Sequence, residues 1–185
     1  LFGEVNPSGR LSVSVPQSVG HIPVFYNHKP SGRGFYHSPG TTDKPGRDYV
    51  FASTDPLFSF GFGLSYTTFE YSDMKVSKHN FGAADIVSVS LNVTNTGKRE
   101  GKEVAQLYFR DIVSSVSVPV KQLIGFEKVL LAPGETKRIT FKISPKDLAL
   151  WDENMQFVTE PGLFEIMVGR SADDILLKEN IEYVE

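Results

Sequence analysis

Histidine is the side chain best suited to proton transfer or metal ligation near neutral pH. The chain has four, at positions 21, 28, 37 and 79, separated by 7, 9 and 42 residues. Metal sites need ligands clustered at helical or hairpin spacing, and these histidines are not. They lie in or beside Pro/Gly-rich loops or at a strand end, and are expected to face solvent. The absence of cysteine removes thiolate nucleophiles, disulfides and Cys-based metal sites together. No Gly-x-Ser-x-Gly elbow presents a serine to a base. Paired carboxylates offer another hydrolytic route, defined by a separation of roughly 5–10 Å and not by sequence spacing. Asp147, Asp152 and Glu153 form the nearest such cluster, and it surrounds a turn, where a solvated polar role is expected.

Gly32-Arg33-Gly34 and Gly61-Phe62-Gly63 lack the strand-then-helix setting of a phosphate cradle. Trp151 is the sole tryptophan. It could stack a sugar ring if exposed, but within Leu148-Ala149-Leu150-Trp151 it is expected in the core. No strand face shows an exposed aromatic strip. The sequon Asn92-Val93-Thr94 sits on the polar face of a strand and matters only in a eukaryotic secretory setting. These residues assign no catalytic group, no metal and no cofactor.

The elements that would position any site follow from composition. The chain has 185 residues, 40% of them hydrophobic and 22% charged, as in ordinary globular domains. A net charge of -3 provides no basic field for phosphate backbones or acidic lipid heads, so neither nucleic acid nor membrane is an expected partner. No window is long and apolar enough for a membrane-spanning helix. Residues 1 to 66 hold 16 of the 27 Gly and Pro residues, and Phe25 to Tyr71 hold 12 of the 22 aromatics, including Phe35, Tyr36, Tyr49 and Phe51. Aromatics at that density bury themselves against something. Phe58, Phe60, Phe62 and Tyr66, together with Trp151, are therefore candidates for structural or interdomain packing.

Leu11 to Val15 alternates apolar and polar like a short strand but has no evident partner, which places its sheet upstream. With Leu1 in place of an initiating Met, a fragment is expected. Residues 1–26 then read as a remnant of an α/β domain and residues 27–66 as an extended Pro/Gly/aromatic-rich linker. Residues 67–185 read as β throughout, with runs near 69–76, 87–94, 104–112, 122–131, 139–143, 164–168 and 175–184. About seven strands predict an all-β, immunoglobulin or fibronectin type III-like sandwich. The only helical candidate is Pro145 to Leu150. Residues 1–26 and Lys29 to Asp48 are expected to be mobile or held by a neighbouring molecule without the α/β domain, whereas Phe58 to Phe69 should be ordered and packed on the sandwich.

The run Pro56-Leu57-Phe58-Ser59-Phe60-Gly61-Phe62-Gly63-Leu64-Ser65-Tyr66-Thr67-Thr68-Phe69 resembles the lead into the fibronectin type III-like domain of glycoside hydrolase family three. Gly101 to Tyr108, Leu123 to Val129, Leu131-Ala132-Pro133-Gly134-Glu135-Thr136, Glu160-Pro161-Gly162 and Val168-Gly169 resemble that domain in order and spacing, while Leu1 to Leu11 is similar to the end of the family's α/β sandwich domain. The resemblance implies a C-terminal, non-catalytic piece of a β-glucosidase or β-xylosidase type enzyme. In such enzymes an Asp of a preceding barrel is the nucleophile and a Glu of the α/β domain the acid/base, so neither falls on this chain and no cofactor is needed. Its implied partners are those upstream domains and, through them, β-linked saccharides; a periplasmic or secreted setting suits the substrate class. The alternative is an autonomous carbohydrate- or protein-binding sandwich module, and a spacer domain of an unrelated surface protein is a third.

Overall fold

A computed structural model of the chain describes residues 3–30 and 55–184. Among these, ten strands and one short 3-10 turn form in chain order. The long strands are β1 (Phe69–Val76), β3 (Val87–Asn95), β4 (Gly101–Asp111), β5 (Gln122–Leu131), β6 (Thr136–Ile143), β9 (Gly162–Gly169) and β10 (Ile175–Tyr183). These are the seven expected runs. Two-residue strands β2 (Asn80–Phe81), β7 (Leu150–Trp151) and β8 (Phe157–Val158) complete the set. The helical candidate is a 3-10 turn over Pro145–Leu148, two residues shorter than expected.

A three-stranded sheet, β1-β3-β6, packs on a five-stranded sheet, β2-β10-β9-β4-β5. The period-two alternation of β3 sends Val87, Val89, Leu91 and Val93 inward and the intervening Ser and Asn residues outward. In β1 the inward phase changes from Phe69 and Tyr71 to Met74 and Val76. One extra residue between Ser72 and Lys75 causes the change, with Asp73 at φ 53, a left-handed conformation that Asp tolerates better than bulkier residues. β4 is buried on both faces over most of its length, as is the end of its neighbour β9. Ala105, Leu107 and Phe109 enter the main core, whereas Tyr108 packs on the other side with Met167 and Ala172. That second face is covered by the chain preceding the sandwich.

Candidate functional site

β9 pairs with β4 only over Gln106–Asp111, leaving the first residues of β4 without a β9 neighbour. Glu103 occupies this stretch, on the same strand phase as the core residues Ala105 and Leu107, and is 1% exposed. An unpaired carboxylate there would be strongly unfavourable. Arg10 Nη2 donates to Glu103 Oε1 at 2.8 Å and Oε2 at 2.7 Å, and Tyr71 Oη donates to Oε1 at 2.9 Å. Arg10 Nη1 donates to the Gly63 carbonyl at 2.9 Å. Burial pushes the Glu103 carboxyl above its ordinary range while the Arg10 charge pulls it back, and burial beside Glu103 raises the Tyr71 hydroxyl. The group joins three parts of the chain: Arg10 from the amino-terminal segment, Gly63 from the segment before the sandwich, and Tyr71 and Glu103 from its two sheets.

Leu11 to Val15 has its partner within this chain. Leu11 N donates to Phe62 O at 2.8 Å and Gly61 N to Leu11 O at 2.7 Å; Val15 N donates to Phe58 O at 2.8 Å and Leu57 N to Val15 O at 2.8 Å. Val15 and Phe58 form an antiparallel bridge. The expected strand over Leu11 to Val15 is corrected to an isolated bridge at Val15, and its backbone partners come from residues 57–62, a pairing hidden by more than forty intervening residues. The expected mobility is corrected for Arg10 to Val15, which backbone bonds hold to residues 57–62 and the Arg10 pair holds to the sandwich. The expectation for Lys29 to Asp48 falls largely outside the described residues, as do Phe35, Tyr36, His37, Tyr49 and Phe51.

A second fastening covers the outer face of β4. Gln106 Nε2 donates to Gly61 O at 3.1 Å and Arg170 O at 2.5 Å, and Tyr108 Oη donates to Gln106 Oε1 at 2.6 Å. Tyr26 stacks on Phe60 with centroids 4.2 Å apart and meets Tyr108 edge-on at 5.9 Å. Gly61 sits at φ 81, and a Cβ there would collide with the Gln106 carboxamide. Only glycine lets this backbone approach so closely.

Of the packing candidates, Phe60 and Phe62 are half-buried against the sandwich side, while Phe58 and Tyr66 remain exposed. Phe58 and Phe62 contact each other with centroids 5.0 Å apart. Trp151, expected in the core, is exposed instead. Leu148 and Leu150 take the buried positions, and strand alternation turns Trp151 outward. His79 is exposed and His28 half-buried, but His21 is fully buried, correcting the expected solvent-facing loop; its Nδ1 accepts from Gln17 N at 3.1 Å. Asp147 Oδ2 accepts from Ser144 N and Oγ, both at 2.7 Å, and Asp152 Oδ1 accepts from Asn154 N and Gln156 N at 2.9 and 2.8 Å. Both carboxylates hold local turns together.

Sequence reasoning missed Arg10, Tyr71, Glu103 and Gln106; the available signal was a carboxylate and a carboxamide inside the otherwise apolar run of β4. A cavity of about 420 Å³ opens beside the Arg10–Glu103 pair, lined also by Phe62, Arg170, Asp173 and Asp174. Among the described residues, no group of three or more His, Cys, Asp or Glu is placed to hold a metal ion. Both oxygens of Glu103 are engaged, which suits the cluster to fastening segments and not to general-base chemistry.

Residues 1–66 match the model of the glycosyl hydrolase family 3 C-terminal domain, and residues 103–172 match that of the fibronectin type III-like domain. A periplasmic beta-glucosidase of Salmonella typhimurium is 46% identical over 169 residues, covering 91% of this chain and 22% of its own length. A beta-xylosidase of Formosa agariphila is 43% identical over 181 residues, covering 95% and 23%. A beta-glucosidase from Listeria innocua solved with glucose superposes with a TM-score of 0.86 at 35% identity, covering 97% of this chain and 25% of that one. The chain thus spans about a quarter of the length of the relatives it matches.

Proposed function

The chain belongs to glycoside hydrolase family 3, and we propose that it serves as the non-catalytic C-terminal support of a β-glucosidase-type enzyme that removes terminal sugars from β-glycosides with retention. In this reading residues 1–26 belong with an α/β domain, residues 27–66 link it to the sandwich, and residues 67–185 form the supporting domain. The nucleophile Asp and acid/base Glu reside in other parts of the polypeptide. The observation that carries the proposal is the Arg10–Glu103–Tyr71 fastening, which ties the segment matching the glycosidase model to both sheets of the sandwich. A sandwich joined only by a linker has no need of a buried ion pair to a segment 93 residues away. The exposed side chains of Val13, Val19, Ile22 and Phe25 leave an apolar surface suited to the α/β domain.

The test uses the longer polypeptide, with barrel and α/β regions ahead of this chain, assayed on aryl β-glucosides and β-xylosides. Ending it at residue 66 should abolish soluble activity, and Arg10→Ala should shorten its half-life on heating. A truncated form that kept both its kcat/KM and its thermal half-life would remove the supporting role.

A further inference from the structure

Trp151 and Phe157 face each other across the ladder of β7 and β8. Their ring centroids are 5.3 Å apart at 44°, and they are 58% and 52% exposed. Two large aromatics left in water on one small hairpin mark a surface meant to be covered. The hairpin is built to hold them still. Besides the Asp152 side-chain bonds, Asp152 N donates to Gln156 O at 3.0 Å and Met155 N to Asp152 O at 3.1 Å. Leu148 and Leu150 anchor its base in the protein, and Thr159 Oγ1 donates to Pro145 O at 2.6 Å. A preorganised platform loses little entropy on binding.

Charge selects the occupant. The hairpin from Leu150 to Val158 carries Asp152 and Glu153 and no Lys or Arg. These two acidic side chains at its tip disfavour phosphate-bearing partners. A neutral polyol fits, because the C–H face of a β-pyranose presents partly positive hydrogens to the negative face of an aromatic ring. Glu153, Asn154 and Gln156, all exposed at the tip, supply acceptors and donors for its hydroxyls. We propose that Trp151 and Phe157 form a binding platform for β-linked oligosaccharides. The choice of β-linkage rests on the proposed glycosidase function; the platform itself rests on the hairpin. The aromatic strip that strand patterning did not reveal is thus present on a two-residue ladder.

Trp151 is the only tryptophan, so its emission reports directly on stacking. The 185-residue chain is titrated with cellohexaose and xylohexaose, with α-linked maltohexaose as the control. A saturable emission change is expected with at least one β-linked hexaose, about tenfold or more weaker with maltohexaose and with Phe157→Ala. Retention in native gels containing hydroxyethylcellulose or xylan should be lost in Trp151→Ala and partly kept in Trp151→Tyr, with urea midpoints confirming that each variant folds. Silence with both β-linked hexaoses, an equal response to maltohexaose, or an emission shift that tracks protein concentration without sugar would each overturn the platform, the last assigning the face to a second copy. Binding in this chain and hydrolysis by the longer polypeptide are read separately, so failure of one does not mask failure of the other.

Discussion

Arg10 and Glu103, 93 residues apart in sequence, meet with one guanidinium nitrogen bridging both carboxylate oxygens at 2.8 and 2.7 Å. Their side chains are 15% and 1% exposed. Removing one partner strands the other in a poorly solvated site, so Arg10→Ala is expected to destabilise the chain by about 3–5 kcal/mol. The double replacement Arg10→Met/Glu103→Leu should be milder, because it removes both charges. Urea midpoints decide it: equal losses in the single and double variants would contradict a desolvated pair.

Gly61 and Gly134 both have positive φ, at 81° and 77°. At Gly134 an added Cβ meets nothing within 4 Å, whereas at Gly61 it collides with Gln106. Gly134→Ala should therefore cost about 1 kcal/mol for the left-handed backbone alone. Gly61→Ala should cost more and open residues 57–62 to protease. Equal costs would mean that the fit against Gln106 is loose.

Most of the sandwich was legible in the sequence because period-two alternation marks one-sided burial. Leu91 and Ile139 illustrate this, each flanked by polar neighbours on its strand and 0% and 2% exposed. What escaped was what alternation cannot encode. Val15 finds Phe58 across a long gap, and Glu103 lies on an apolar phase because its partner comes from residue 10. Trp151 follows two buried leucines, and sequence hydropathy has no means of showing that the ladder ends there in an exposed hairpin. The family resemblance supplied the functional reading that the strand pattern could not.

The core assignment carries its own test. Leu91→Ala, Phe141→Ala and Ile166→Ala should each lose roughly 2–5 kcal/mol through lost burial and cavity formation. Changes at the outward-facing neighbours Ser90, Thr140 and Glu165 should lose far less. Denaturant midpoints showing similar harm from both sets would contradict the observed phase.

Stability should also depend on Asp111. This residue is 9% exposed, and its carboxyl is pushed up to about 6, chiefly by burial and further by Glu160, against a backbone hydrogen bond at Val113. The folded state therefore holds this proton more tightly than the unfolded state does. The resulting stabilisation is fully present below the ordinary carboxylate range and is lost as pH rises through about 6. Asp111→Asn should flatten that decline and add about 1–2 kcal/mol at neutral pH. Urea melts across the acid range test this, and an unchanged slope in the variant would rule Asp111 out as its source.

Placement of the glycosidase chemistry outside these residues is tested most directly by p-nitrophenol release from aryl β-glucosides and β-xylosides by the purified 185-residue chain. Retaining hydrolysis needs a nucleophile and an acid/base about 5 Å apart, and the carboxylates Asp147 and Asp152 are each bound to a local turn. The expected result is no release above the buffer blank at any protein concentration. Turnover that survived repurification, rose in proportion to the chain and was lost on substituting one of its own carboxylates would contradict the account.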